Sequence, residues 1–180
     1  MNIISGKLKG RKIFAPGGLS LRPTPNKVRE ALFNILSNRV SGASFLDLYA
    51  GTGAVGIEAL SRGATFAVFV EHDRRHRQFL NKNLMACGLN GQSAVFRSDA
   101  TDFLKTTDQS FDLVFLDPPY AGEDIEKVLP RLNEGDIIAK NGCLIIEHFH
   151  KRALPEAFES IRFLKKYRYG ETSLSFYGKS

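Results

Sequence analysis

The stretch of sequence that decides the fold is Asp47-Leu48-Tyr49-Ala50-Gly51-Thr52-Gly53-Ala54-Val55-Gly56. It follows an apolar segment and leads into residues 54–62, which have helical character. Its glycines match the pattern Gly-x-Gly-x-x-Gly, which is typical of a strand-to-helix turn whose backbone approaches a nucleotide. The stretch predicts a first strand (residues 44–49), a glycine loop and a first helix, although the same spacing also occurs in tight turns without a ligand.

Downstream of this unit, strands and helices alternate along the chain. We predict strands at residues 66–71, 93–97, 111–116 and 143–147, helices at 74–87, 99–104 and 124–132, and a final antiparallel pair at 161–168 and 172–177. Such alternation predicts an α/β fold with a mostly parallel sheet and helices on both faces. Ligands of these sheets bind beyond the carboxyl ends of the strands.

The residues upstream of the glycine loop are basic. Ile3-Ile4 and Ile13-Phe14 flank a basic segment, which predicts a short hairpin with a basic turn. Thr24-Pro25 is typical of a helix start, and apolar residues from 28 to 36 follow at helical spacing, with Lys27 and Arg29 expected elsewhere on that helix. We therefore divide the chain into a hairpin extension, residues 1–22, and a domain, residues 23–180.

The composition fits one compact domain of 180 residues. No apolar run approaches the roughly 20 residues that span a bilayer. Basic residues between Lys7 and Lys12 interrupt the apolar segment that a signal peptide requires, so we expect no signal peptide. The two cysteines, Cys87 and Cys143, suit neither a disulfide framework nor a zinc site, and both fit small core residues. We expect a cytoplasmic monomer with reduced thiols and no bound metal.

The net charge of +6 is unevenly distributed. Residues 1–40 carry a net charge of +7, residues 41–150 carry −5, and residues 151–180 carry +4. An acidic body with two basic ends suits a polyanionic partner such as nucleic acid, although a solvated basic surface would look the same. The pattern therefore favours nucleic-acid binding without establishing it.

Acidic residues follow three of the predicted strands. Asp47 ends the first, Glu71 ends the second twenty residues after Gly51, and Asp99 follows the third. An acid at the end of the second strand can accept hydrogen bonds from both ribose hydroxyls of an adenosine, and Asp99 could meet the adenine amine. Asp47 would repel the pyrophosphate of NAD but suits the cationic amino-acid part of S-adenosylmethionine. We therefore expect S-adenosylmethionine as the cofactor.

Asp117-Pro118-Pro119-Tyr120 carries the strongest chemical signal. Two prolines cannot continue a central strand, so Asp117 is expected at the same sheet edge as the glycine loop. The Asp117 carboxylate and the Pro118 carbonyl could accept hydrogen bonds from an exocyclic base amine, which frees the nitrogen lone pair for methyl transfer. The Tyr120 ring could stack on a base removed from its own stack. The motif thus predicts an amino-methyltransferase.

The residues around these two motifs make the predicted activity more specific. The segments 3–13, 22–24, 28–36 and 56–64, together with the glycine loop and residues 117–120, are similar to the bacterial RsmD family over essentially the whole chain. Tyr49 stands where phenylalanine is more usual in that family. The resemblance implies a class I methyltransferase fold with a seven-stranded sheet and an antiparallel C-terminal hairpin. It also implies methylation of the N2 amine of a guanine in small-subunit (16S) ribosomal RNA, within the small subunit or its assembly intermediate.

The resemblance assigns site residues by position. Its implied cofactor residues are Asp47, Ala50, Gly51, Thr52, Gly53, Glu71 and Asp99; its implied catalytic residues are Asp117, Pro118, Pro119 and Tyr120; and its implied RNA-binding residues are Lys7, Lys9, Arg11, Lys12 and Arg22. The +7 charge of the first forty residues independently suits contact with RNA phosphates.

Three other functions fit parts of the pattern. A DNA methyltransferase acting on adenine N6 or cytosine N4 would use the same amine chemistry, but 180 residues leave little room for a target-recognition domain. Methylation of a protein glutamine usually requires asparagine in place of Asp117. A non-catalytic RNA-binding assembly factor would not need intact motifs.

His148 and His150 are interpreted as packing or surface residues, because no third metal ligand lies nearby.

Overall fold

The computed structural model describes residues 1–16, 25–119, 122–134 and 136–179. The α-helices within these ranges are α1 (Asn26–Leu36), α2 (Ala54–Ser61), α3 (Arg74–Cys87), α4 (Ala100–Thr106) and α5 (Asp124–Glu134). The strands are β1 (Ser44–Asp47), β2 (Phe66–Val70), β3 (Ser93–Phe96), β4 (Phe111–Leu116), β5 (Ile138–Phe149), β6 (Ala157–Phe158), β7 (Ile161–Tyr169) and β8 (Thr172–Lys179).

All these strands form a single sheet in the order β3-β2-β1-β4-β5-β8-β7-β6. The first five strands are parallel, whereas β8, β7 and β6 each pair antiparallel with their neighbours. The chain builds the sheet outward from β1 through β2 and β3, then returns to place β4 on the other side of β1. This reversal creates a crevice at the carboxyl ends of β1 and β4, where ligands of such sheets bind.

The core lies in two layers, one on each face of the sheet. Apolar side chains of α1, α2 and α3 cover one face, and those of α4 and α5 cover the other. Side chains of β1 alternate between the layers, since Phe45 belongs to the first and Leu46 to the second. Both residues are fully buried, as expected for a parallel strand covered on both faces. The predicted fold class is confirmed.

Three details differ from the sequence-based expectation. The sheet has eight strands within the described ranges rather than seven, because residues 157–158 form a two-residue strand against β7. Strand β5 begins five residues before the predicted residue 143, and Asn141 within it has a φ of 63°. Helix α1 begins one residue after Pro25, which occupies the N-cap position, and Thr24 lies outside the described residues.

The first residues fold back on themselves with less strand structure than predicted. One isolated antiparallel bridge joins Asn2 to Lys12 in place of a two-stranded hairpin. Gly6 and Gly10 have φ angles of 82° and 84°, so the residues between the bridged positions curl into turns instead of extending as strands. We call residues 1–14 the arm; the predicted boundary between residues 22 and 23 lies outside the described residues.

A buried glutamate of α2 holds the arm against the sheet layers. Glu58 accepts hydrogen bonds from the backbone N–H groups of Ile4 at 2.8 Å and Ser5 at 2.9 Å. Its carboxylate also lies 2.8 Å from Arg62 Nε and 3.7 Å from Arg29 Nε. Two cations and two amide donors therefore compensate its charge, although its side chain is 0% exposed.

Arg29 lies on the buried side of α1, which corrects the expectation that it shares an outer face with Lys27. Its guanidinium donates a hydrogen bond to the Asn2 carbonyl at 2.6 Å. Burial lowers the pKa of Arg29, while the Glu58 charge opposes that shift. Lys27 is exposed as expected. From the sequence alone Arg29 resembles an exposed helix residue, and it is buried in the structure because the arm covers it.

None of the helices in the described part of the chain combines the length and apolar character that crossing a bilayer requires.

Candidate active site

A cavity of about 660 Å³ lies at the carboxyl edge of the sheet, over the crevice between β1 and β4. Its walls come from the loops that follow β1, β2, β3 and β4, from the end of β5, and from the first residue of β8. Its size falls within the range of about 300–1,000 Å³ that small-molecule sites occupy. The topology therefore gathers residues that are far apart in sequence around one ligand-sized space.

The glycine loop forms one wall of this cavity. Gly51 and Gly53 have φ angles of 54° and 80°, and Gly53 is the N-cap residue of α2. An ideal Cβ at Gly56 would lie 2.3 Å from the Phe69 ring, so this position needs glycine for close packing of α2 on β2. Ala50 and Thr52 line the same wall. The first two glycines thus serve the turn, and the third serves packing.

Asp47 occupies the end of β1 and is almost fully buried. Its Oδ2 accepts a hydrogen bond from the Gly56 backbone N–H at 3.2 Å. Burial raises the pKa of Asp47 from its ordinary value of 3.8 to about 8, and the negative charges of Asp117 and Glu71 add to the shift. A cationic group in the cavity would reverse these effects by stabilising the carboxylate.

Glu71 and Asp99 line the cavity at the ends of the next two strands. Glu71 accepts hydrogen bonds from the backbone N–H groups of Gly51 at 2.7 Å and Asp73 at 2.8 Å, which ties the glycine loop to the end of β2. Asp99 is the N-cap residue of α4, yet its side chain makes no capping hydrogen bond. Both carboxylates therefore border the cavity, one held firmly and one exposed.

Asp117, Pro118 and Pro119 follow β4 and also line the cavity. Asp117 is half-buried, Pro118 is buried and Pro119 is exposed. In the sheet, Phe115 of β4 pairs with Asp47 of β1, so the two motifs occupy neighbouring strand ends. Tyr120, the fourth predicted catalytic residue, lies outside the described residues.

The sequence analysis missed several residues around the cavity. Glu147 near the end of β5 and Thr172 at the start of β8 line the wall beside Asp117. Tyr49 also lines it, and its hydroxyl donates to Asp124 Oδ1 at 3.3 Å. Other lining residues that the sequence analysis did not select are Pro25, His76, Ser98, Thr101 and Lys127. Glu147 was identifiable, because it follows a buried apolar strand as Asp47 does.

A buried asparagine connects the glycine loop to the arm. The side-chain amide of Asn83 in α3 donates to the Thr52 carbonyl at 2.9 Å and to the Phe14 carbonyl at 2.9 Å. Its Oδ1 accepts a hydrogen bond from the Phe14 backbone N–H at 2.8 Å. The loop and the arm therefore share one fully buried anchor.

The charge of the cavity favours a cationic ligand. Six carboxylate side chains line it, namely Asp47, Glu71, Asp99, Asp117, Asp124 and Glu147. Such a lining repels phosphate and attracts a sulfonium or ammonium group. The glycine wall would allow a nucleoside to lie close to the backbone, and the raised pKa of Asp47 reflects its burial and the negative charges of Asp117 and Glu71. The residues present thus fit S-adenosylmethionine better than a dinucleotide.

The predicted RNA-binding residues of the arm are exposed, and two of them, Lys7 and Arg11, contact elements away from the cavity. Lys7 donates to Gln92 just before β3, and Arg11 donates to the Ala86 carbonyl near the end of α3. Ala86 follows the cavity residue His76 by ten positions, or about 15 Å along the helix. The other members of the set are Lys9 and Lys12, which are exposed, and Arg22, which lies outside the described residues.

Comparison with known proteins gives consistent matches over the full chain. The family model described as conserved hypothetical protein 95 matches residues 1–178. The chain is 36% identical to "Putative rRNA methyltransferase YlbH" of Bacillus subtilis, over 99% of each chain. It is 37% identical to ribosomal RNA small subunit methyltransferase D of Escherichia coli, over 86% of this chain and 78% of that one. A solved structure described as "Putative methyltransferase yhhF from Escherichia coli" superposes with a TM-score of 0.90 at 34% identity, covering 100% of this chain and 98% of that one.

Proposed function

Since the chain belongs to the conserved hypothetical protein 95 family, which is the RsmD family, we propose that it methylates the N2 amine of a guanine in small-subunit (16S) ribosomal RNA. Family membership assigns the general activity, methylation of ribosomal RNA with S-adenosylmethionine. The choice of guanine N2 and of the small-subunit particle as substrate is the part proposed.

The observation that carries the proposal is the position of Asp117-Pro118 beside the glycine loop. Both residues line the cavity that Gly51 and Asp47 also line. Bound S-adenosylmethionine supplies a methyl group on a sulfonium, which needs no further activation. Asp47, Glu71 and Asp99 would hold the amino-acid, ribose and adenine parts respectively, which leaves the β4 side of the cavity for the base.

The residues after β4 suit an exocyclic amine. Such a nitrogen is a weak nucleophile because its lone pair is delocalised into the ring. The Asp117 carboxylate and the Pro118 carbonyl would accept hydrogen bonds from its two N–H groups, so that the nitrogen lone pair becomes available to attack the methyl group. Pro118 restricts the backbone and so fixes the direction of that carbonyl before the base arrives. Asp117 would then take the proton that leaves the methylated nitrogen.

The proposed substrate is tested with labelled S-adenosylmethionine and three acceptors: duplex DNA, free small-subunit rRNA, and small subunits from cells that lack the gene. Digestion of the product to nucleosides identifies the methylated base. We expect label in N2-methylguanosine from one or both RNA acceptors. Label in adenine or cytosine of DNA would retain the amine chemistry and overturn the choice of substrate. Cofactor binding without transfer to any acceptor would favour a binding protein.

The role of Asp117 is tested by Asp117→Ala. Removing one transition-state hydrogen bond lowers turnover by about 10²–10³-fold, and we expect a loss of at least this order with cofactor binding retained. Asp108→Ala is the matched control, because Asp108 is an exposed aspartate in the loop before β4. If Asp117→Ala retains normal transfer, the catalytic assignment is wrong.

A further inference from the structure

Part of the second basic end of the chain lies at the carboxyl edge of the sheet, which also holds the cavity. The turn between β7 and β8 is at the carboxyl edge, where Thr172 pairs with Phe149 of β5 and lines the cavity. Lys166 and Arg168 are exposed residues of β7 just before this turn, and Lys151 is an exposed residue just after β5. We call Lys151, Lys166 and Arg168 the rim cations.

Hydrogen bonds join the two segments that carry the rim cations. The backbone N–H of His150 donates to the Glu171 carbonyl at 2.8 Å. Lys166 Nζ donates to the His150 carbonyl at 2.9 Å, and Arg168 Nε donates to the Gly170 carbonyl at 2.8 Å. These bonds position two of the head groups in advance, which reduces the ordering cost of a contact with a ligand. Lysine has three N–H donors and arginine five, so within the described part of the chain both head groups keep donors for such a contact.

The rim cations have no carboxylate within 4 Å among residues 1–16, 25–119, 122–134 and 136–179. By contrast, Arg152 contacts Glu126, and Lys127 lies 3.6 Å from Glu123. Arg152 and Lys127 are thus compensated within the chain, whereas the rim cations can compensate an external anion.

The acidic cavity explains why cations are needed at this edge. Six acidic side chains line the cavity, and those that are ionised repel the phosphates on either side of any base that enters it. Arg11 of the arm is hydrogen-bonded to Ala86, about 15 Å along α3 from the cavity residue His76, so it is too far away to compensate these phosphates. Lys166 and Arg168 lie two positions apart on the same face of β7, about 6.6 Å along the strand.

We propose that Lys151, Lys166 and Arg168 bind backbone phosphates of the RNA strand that carries the target base. The proposal rests on the proposed function, because it takes RNA as the substrate. The base enters the acidic cavity while the rim cations hold the adjoining phosphates outside it. The contact is to the backbone, so it positions the strand without reading its sequence.

The test compares three variants: two remove charge at different places, and the third keeps the charge at the rim. K151Q/K166Q/R168Q removes the rim cations. R131Q/K140Q/R162Q removes three cations at the opposite edge of the sheet and is the matched control. K151R/K166R/R168K keeps the charge at the rim. Binding of labelled small-subunit rRNA is measured across a salt series, together with KM and kcat for methyl transfer, thermal unfolding and affinity for S-adenosylmethionine.

We expect the rim variant to bind RNA at least tenfold more weakly, to raise KM more than it lowers kcat, and to bind S-adenosylmethionine normally. The slope of log K against log salt concentration should fall by about 2–3, roughly one for each phosphate that the protein no longer neutralises. The control should change affinity less than twofold, and the charge-conserving variant should resemble the original protein. Equal weakening in the rim and control variants would overturn the proposal, because net charge alone would then explain binding.

Failure of this proposal is distinguishable from failure of the proposed function. Normal methyl transfer by both the original protein and the rim variant, with unchanged salt dependence, would reject the rim contact and retain the function. Salt-dependent RNA binding that disappears in the rim variant, without methyl transfer by the original protein, would retain the contact and reject the function. A weakening confined to duplex DNA would overturn RNA as the ligand of this surface.

Discussion

Two buried carboxylates near α2 have opposite surroundings. Glu58 accepts hydrogen bonds from two backbone amides of the arm, and Arg62 and Arg29 compensate its charge. Asp47 accepts a longer backbone hydrogen bond, from Gly56 at 3.2 Å, and the charges that act on it are negative. The charge of Glu58 is compensated within the chain, whereas a cationic ligand would compensate the carboxylate of Asp47. The contrast separates the anchor of the arm from the binding site without reference to any relative.

The largest expected effect on stability comes from removing Glu58, the carboxylate whose charge is compensated. Glu58→Ala leaves the Arg29 charge buried without its carboxylate and frees the two amides of the arm. We expect the free energy of unfolding to fall by about 3–5 kcal/mol, as measured by urea denaturation. Glu30→Ala is the control, because Glu30 is an exposed acid of α1 and its removal should change stability by less than about 0.5 kcal/mol. A decrease below about 1 kcal/mol for Glu58→Ala, against the 3–5 expected for a broken buried pair, would contradict the anchor role.

A smaller effect is expected where the arm and the glycine loop meet. Asn83→Ala leaves the backbone groups of Phe14 and the carbonyl of Thr52 without their buried partner, so stability should fall by about 2–4 kcal/mol. Cofactor affinity should fall several-fold as well, since the loop loses its support. Asn81→Ala removes an exposed asparagine of the same helix and should change neither quantity. Unchanged cofactor affinity in a destabilised Asn83→Ala protein would show that the anchor supports the arm alone.

Counted per pH unit, the smallest expected effect is a pH dependence on the Asp47 side, at most about 1.4 kcal/mol for each unit. The folded pKa of about 8 lies above the ordinary 3.8, so the ligand-free folded state binds more protons than the unfolded state between these values. Stability of the ligand-free protein should therefore fall as pH rises from about 4 to 8. Cofactor binding should release a proton, and affinity should rise by up to about tenfold per pH unit until pH 8. Calorimetry in buffers of different ionisation enthalpy measures the released proton.

The variant Asp47→Asn tests whether Asp47 is the group that releases the proton. The neutral side chain should remove both the proton release and the pH dependence of affinity, and should weaken cofactor binding above pH 8, where the original carboxylate is charged. If the proton release persists in Asp47→Asn, another group is its source.

Much of the fold was predictable because parallel strands buried on both faces appear in the sequence as apolar runs. The bounds of α3 and β4 match the predicted residues 74–87 and 111–116. Strand β5 was predicted too short because Asn141 and Gly142 interrupt the apolar pattern, although the chain pairs on both sides of them. The two residues of β6 are too few to form a recognisable pattern.

The site was predictable where a local rule applied. Acids that end apolar strands reach the carboxyl edge, and this rule placed Asp47, Glu71 and Asp117 correctly at one cavity. The same rule applied to Cys143–Ile146 would have found Glu147. Glu58 and Asn83 follow no such rule, because their partners in the arm are 54 and 69 residues away in the sequence. A polar residue inside a helix resembles a surface residue until that partner is located.

The long separation between the arm and its anchors has a consequence for protein synthesis. Asn83 leaves the ribosome 69 residues after Phe14, which takes about 3–14 s at typical elongation rates. Until then the nascent arm lacks its second anchor, and the docked state that buries Ile3 and Ile13 to 2% and 1% exposure is incomplete. The arm is thus docked fully only after α3 has been synthesised, and we expect proteases and chaperones to have access to it during this interval.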